Sequence, residues 1–242
     1  MRTPAGPPGP TRTCHAPDTH EPTQWPKPRT HPWFAWALHL ETPCRSETLC
    51  ATPSLDWCPC PRATGIRGPA HLLAALPRDP GGRVPNIFTT LVRHPELYEQ
   101  FMPFGGQLLR RGRLSGRFRE LLILRTSYNT GAPYEWGRHV PLAKASGLTD
   151  TDIDRIVQGP EADGWTALER SLMRAADELN RDAWLCDATW EVLTEHFGDA
   201  EMIEITMLVG QYHMVAFFLN SVGVELDPGF DSAGLDGRER ER

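Results

Sequence analysis

Apolar residues fall into two regimes along the chain. From about Ala63 onward they recur at helical intervals, as in Leu97, Phe101, Phe104 and Leu108, or Phe118, Leu121, Leu122 and Leu124. No stretch alternates long enough to require a strand. Boundary residues punctuate this pattern. "HLLAALPRDPGG" reads as the stub of a helix stopped by its Pro and Gly residues. "NIFTTLVRHPELYEQFMPFGGQLL" reads as two short helices broken before Pro95, with Gly105–Gly106 as a turn. Ser115 is placed to cap a helix, "SYNTGAP" makes a turn, and a partner helix runs from about Ala132 to Ser146 before Gly147. Thr149, the Thr166/Glu169 capping box, Asp187 and Asp199 open four more helices, the last ending at Gly223. The pattern predicts an all-α domain of about seven or eight helices. The run 205–219, "ITMLVGQYHMVAFFL", is apolar around most of its circumference, so it should be buried on nearly all sides, in the core or between subunits.

Residues 1–62 show neither periodicity. They hold thirteen of the chain's 23 prolines, each removing a backbone donor and disfavouring helix in the residue before it. A disordered Pro-rich extension over 1–62 is expected, then a helical domain over 63–228 and a polar flexible tail over 229–242.

The net charge of -6 argues against a nucleic-acid partner, which needs a basic field. No uninterrupted apolar run approaches the ~18 residues of a membrane span, and no secretory signal stands near the start. No membrane partner and a cytoplasmic location are therefore expected. Cys14, Cys44, Cys50, Cys58 and Cys60 crowd the first quarter and Cys186 stands apart. Their spacing matches no zinc site, and unpaired thiols are the expected state.

The candidate chemistry lies in "RELLILRTSYNTGAPYEWGRHVPLAKASG" (119–147). Glu135 and His139 are at i and i+4, on one helix face. A carboxylate beside an imidazole orients the ring and makes a proton-transfer pair. Glu120, on the preceding helix, can be brought back towards His139 by the hairpin. The competing reading is a surface Glu/His pair contributing a few tenths of a kcal/mol. Tyr134 and Trp136 are candidate pocket walls, and His213 a candidate pocket residue from the last helix, although residues of these types at such positions more often pack the core. Asp177 and Glu178 read as a solvated helix face, and Glu201 and Glu204 as acids suited to a helix N-terminus. No phosphate loop, dinucleotide fingerprint or Gly-x-Ser-x-Gly elbow occurs.

The stretch "RELLILRTSYNTGAPYEWGRHVPLAKASGLTDTDID", with "LPRDPGGRVPNIFTTLVRHPEL" before it and "GQYHMVAFFLNSVGVELDP" after it, resembles the carboxymuconolactone decarboxylase family, which also contains alkylhydroperoxidase D. The resemblance covers about residues 70–228. It implies an alkylhydroperoxidase D-like helical bundle assembled into trimers or hexamers. The family's peroxidase branch carries a Glu, eleven residues, Cys-x-x-Cys, three residues and a His. Glu120 and His139 match that pattern, whereas Ala132 and Glu135 stand at the two cysteine positions and Tyr134 just before the second.

Thiol peroxidase chemistry needs a thiolate and a resolving thiol, so the antioxidant activity that the resemblance offers is disfavoured. Proton chemistry survives the change. The expectation is a cofactor-independent, metal-free lyase or isomerase for a small carboxylated lactone or related acid. His139 would shuttle the proton, Glu135 would orient it, and Glu120 would be the second carboxylate. A non-enzymatic helical oligomer that binds a small molecule is the remaining alternative.

Overall fold

The coordinates are a computed structural model that describes residues 70–79 and 81–235. The Pro-rich extension, five of the six cysteines and residues 236–242 lie outside the described residues. Among these the chain is all-α: α1 (Ala70–Ala75), α2 (Asn86–Leu91), α3 (Pro95–Arg110), α4 (Gly116–Thr130), α5 (Pro133–Ala145), α6 (Asp150–Gln158), α7 (Ala167–Asp182), α8 (Asp187–Thr194) and α9 (Asp199–Val222). These nine include the six-residue α1 and α2.

Helix α4 is the hub. It packs against α5, α6, α7 and α9, and every residue from Glu120 to Ser127 is buried. Leu121, Leu122, Ile123 and Leu124 are completely enclosed; burial of such a side chain contributes about 1.5–3 kcal/mol. A helix buried all round must satisfy its polar groups internally. Arg125 therefore donates to both carboxylate oxygens of Asp177, at 2.6 and 2.9 Å, and to the Ile156 carbonyl at 2.7 Å. Thr126 and Ser127 donate to carbonyls one turn back.

The boundaries follow the capping chemistry. Ser115 accepts from the Phe118 N–H, and Thr149/Asp152 and Thr166/Glu169 form capping boxes. Arg117 joins the two boxes, donating to Glu169 at 2.8 Å and to Asp152 at 3.1 Å. It thereby fastens the starts of α6 and α7 to α4.

Several expectations need correction. Residues 95–110 form one sixteen-residue helix, with Pro103 and both Gly105 and Gly106 inside it rather than in a turn. Asp187 lies in the first turn of α8; the N-cap is Cys186 and makes no side-chain cap. Asp177 is paired with Arg125. Glu178 is buried and accepts from the Cys186 N–H at 2.9 Å and the Thr189 hydroxyl at 2.7 Å. Glu204 is also buried and accepts from the Arg113 and Leu114 N–H groups, at 2.7 and 3.1 Å, tying the α3–α4 loop to α9. The periodicity could show only that these acids shared polar helix faces, not which donors the tertiary fold would bring to them.

Helix α9 is buried on one face, through Ile205, Leu208, Val209, Val215, Ala216 and Leu219, and not on nearly all sides. Ile203, Met207, Met214 and Phe217 make an exposed apolar stripe, with Phe217 64% exposed. By length and composition alone α9 could cross a membrane; its buried face packs instead against α3, α4, α7 and α8. Part of the segment expected as a flexible tail, up to residue 235, is held against the helices. Leu235 is fully buried, and the Ala233 carbonyl accepts from the Trp136 indole N–H at 2.8 Å. Asp227 accepts from the Tyr134 hydroxyl at 2.7 Å and from the Asn86 N–H at 2.8 Å. This carboxylate pins the C-terminal segment to α5 and to the start of α2.

Candidate active site

The turn between α4 and α5 sets the site. Gly131 adopts a left-handed conformation, φ 57°, which costs a residue without Cβ little. The Ala132 N–H then reaches back to the Ser127 carbonyl and the Gly131 N–H to that of Tyr128, closing a Schellman-type turn. Pro133 at the first position of α5 starts the second helix at once. The two helices run back along each other, which brings an acid near the start of α4 against α5.

That acid is Glu120. Its Oε2 lies 2.8 Å from His139 Nδ1, with both side chains buried. Its Oε1 accepts from Arg119 Nε at 3.0 Å. Burial alone would raise the Glu120 pKa, but the bond and charge of His139 and then of Arg119 outweigh it, and the carboxyl is held below its ordinary value. A carboxylate accepting at Nδ1 fixes the ring as the Nδ1–H tautomer and leaves the lone pair on Nε2. Nε2 has no hydrogen-bond partner among the described residues. The Tyr212 ring meets His139 edge-on at 5.0 Å.

His139 lines a cavity of about 160 Å³ whose walls are mostly apolar. That is small against the ~300–1,000 Å³ common for ligand sites, so it suits one compact ring. Glu135 lines the same cavity, 2% exposed, and neither of its carboxyl oxygens has a hydrogen-bond partner. Burial pushes its pKa well above the ordinary value and favours the neutral acid. The i,i+4 spacing thus places Glu135 and His139 towards one cavity, but the residue that holds the imidazole is Glu120, not Glu135 as expected. Hydrogen-bond reach across the hairpin wins over proximity along the helix.

Of the remaining candidates, Tyr134 lines the cavity. Its hydroxyl is committed to Asp227 and accepts from the Ile87 N–H at 3.2 Å. Its pKa is raised, chiefly by burial and then, against the opposing Ile87 bond, by Asp227. Trp136 is fully buried, 6.2 Å from the Tyr128 ring and bonded to Ala233, and is not among the lining residues. His213 is outside the lining too: its Nδ1 faces the Val209 carbonyl at 3.0 Å and its Nε2 faces Asn180 Oδ1 at 2.8 Å. One helical step decides this, since Tyr212 and Gln211 take the inward positions.

Sequence reasoning missed Gln211, Tyr212, Gly106, Arg110 and Arg138, all of which line the cavity. Gln211 carried a signal, as an amide inside the apolar run of α9. Gly106 is buried beneath Arg110; a Cβ there would come within 2.6 Å of the guanidinium Nη2. Arg138 pairs with Asp227 at 3.5 Å and lies 4.4 Å from the Phe230 ring centroid. Among the described residues, no group of three or more His, Cys, Asp or Glu could hold a metal ion.

Residues 95–178, from α3 into α7, match the model of the Carboxymuconolactone decarboxylase family. The fold also matches the alkylhydroperoxidase AhpD core of an uncharacterized peroxidase-related protein from Ralstonia eutropha JMP134. There the TM-score is 0.57 and the identity 24%, over 69% of this chain and 95% of that one. Residues 95–178 thus carry the sequence pattern of that family, and the described helices share the AhpD-like fold. The same AhpD-like fold is shared with an uncharacterized peroxidase-related protein from Silicibacter sp. TM1040, at TM-score 0.57 and 19% identity over 62% of this chain and 80% of that one. It is shared as well with the debrominase Bmp8 in complex with 2,3,4-tribromopyrrole, at TM-score 0.54 and 16% identity over 65% and 84%. No curated protein matches the chain. The segment matched by the family model contains Glu120, Glu135 and His139 but not the α9 residues that complete the cavity.

Proposed function

We propose that this helical domain is an acid–base lyase or isomerase acting, without a cofactor, on a small carboxylated lactone or related acid. The observation that carries the reading is the buried Glu120–His139 bond behind an apolar cavity. Glu120 holds Nδ1 and stabilises the imidazolium, and Nε2 takes or returns a proton at the substrate carbon. In a decarboxylation the bond from carbon to carboxylate breaks, carbon dioxide leaves, and the electron pair passes into a conjugated carbonyl as an enolate. The neutral Glu135 carboxyl donates a hydrogen bond to the enolate oxygen and keeps its proton, and His139 delivers the single proton that the carbon takes up. The balance closes without an electron acceptor.

Arg110 supports an anionic substrate. It lines the cavity and has no acidic partner among the described residues, whereas Arg138 is engaged by Asp227. Carbon dioxide release from a panel of small carboxylated lactones tests the proposal. Release lost on His139→Gln supports it; release by neither protein, or equally by both, rejects it. A peroxidase reading is disfavoured by Ala132 and Glu135, and peroxide consumption abolished by thiol alkylation would restore it. Assembly of several copies is part of the proposal, supported by the exposed Ile203, Met207, Met214 and Phe217 stripe.

A further inference from the structure

Two unmet polar groups face the same cavity. Gln211 on α9 is 5% exposed and its Oε1 has no hydrogen-bond partner; Glu135 on α5 has none for either oxygen. Buried polar groups are almost always paired, and leaving one unpaired costs about 1–3 kcal/mol. Two side chains from different helices, unpartnered in one mostly apolar cavity, form a built station for a ligand group. The Gln211 amide oxygen is an acceptor, so the group it meets must donate, whereas the neutral Glu135 carboxyl can both donate and accept.

We infer that Gln211 is a substrate-positioning residue, accepting a hydrogen bond from a hydroxyl or N–H on a small ring that Glu135 also contacts. The substrate class narrows to compact ring acids carrying an O–H or N–H donor, such as a hydroxylated lactone, an enol acid or a phenolic acid. This rests on the proposed use of the cavity as the substrate site. The donor sets the ring's rotation in the cavity and so decides which carbon faces His139. A ring lacking it would leave Gln211 Oε1 unsatisfied, and would be discriminated against for that reason.

The test compares 4-hydroxybenzoate with 4-fluorobenzoate, near-isosteric probes of which only the first has the donor. Binding to the full chain is measured by calorimetry or ligand-observed NMR. The hydroxy acid is expected to bind about tenfold more tightly or better, as satisfying one orphaned buried acceptor predicts. Gln211→Leu should bring the two affinities together, with fluorobenzoate binding unchanged or improved. Gln211→Glu, which restores an acceptor, should recover a preference for the donor, and it supplies the reading if the leucine variant does not fold. His139→Gln should keep the preference, so failure of the proton-transfer reading is visible separately as loss of turnover assignment with selectivity intact. Equal affinities in the wild type, no binding of either probe at millimolar concentration, or a preference that survives Gln211→Leu would each overturn the inference.

Discussion

Glu120 and His139 are nineteen residues apart in sequence and 2.8 Å apart in space, joined Oε2 to Nδ1 inside a hydrophobic hairpin. The bond orients an imidazole whose other nitrogen is left for the cavity. Replacing Glu120 by Gln keeps the volume but removes the charge that stabilises the imidazolium. Turnover should fall about 10²–10⁴-fold, the range for loss of positioned acid–base assistance. The fold should persist in circular dichroism, since Arg119, the other partner of Glu120, is partly exposed.

Glu135 predicts a pH dependence of opposite sign to that of an ion-paired acid. Its pKa is raised in the fold by burial. The stabilisation from binding its proton is therefore complete below the ordinary value of 4.5 and is lost as pH rises towards the folded value. Glu135→Gln mimics the neutral acid and does not titrate. Denaturant melts should show the variant gaining stability relative to the wild type as pH rises above the ordinary value of 4.5. Glu120 runs the other way: its contribution is present above its unfolded pKa and lost as pH falls through its lowered folded one.

Gly106→Ala tests the anion-receiving role of Arg110. The added Cβ would come within 2.6 Å of Nη2 and turn the guanidinium away. KM for a carboxylated substrate should rise with kcat little changed, the signature of lost uniform binding. Arg110→Ala should reproduce it. Equal KM values across the three proteins would remove Arg110 from the site.

Phe217→Glu places a charge on the exposed face of α9, where Phe217 is 64% exposed. Light scattering should show a smaller species than the wild type, with circular dichroism unchanged. A wild type that is already monomeric would contradict assembly through this stripe.

The helices were largely legible because their signals are local. Ser115, Thr149, Thr166 and Glu169 mark starts by hydrogen-bonding their own backbone, and Gly131 and Gly223 mark ends by their left-handed φ. Gly105 and Gly106 misled because two adjacent glycines suggest a turn, whereas here they sit within α3 along the cavity wall. In the site, Glu120, Glu135 and His139 were legible as a spaced set of proton-bearing groups. Which acid holds the imidazole was not, because it depends on the packing of α4 on α5. Likewise, the step from His213 to Gln211 and Tyr212 depends on the rotation of α9, and an apolar run gives no face to read.

Hydrogen–deuterium exchange at the carbon adjacent to the carbonyl, followed by NMR in deuterated water across small lactone and enol acids, tests proton transfer directly. It needs no completed decarboxylation. The account predicts wild-type-catalysed exchange that falls at least about a hundredfold in His139→Gln while probe binding is retained. Exchange that is absent in the wild type, or undiminished in the variant, would contradict it.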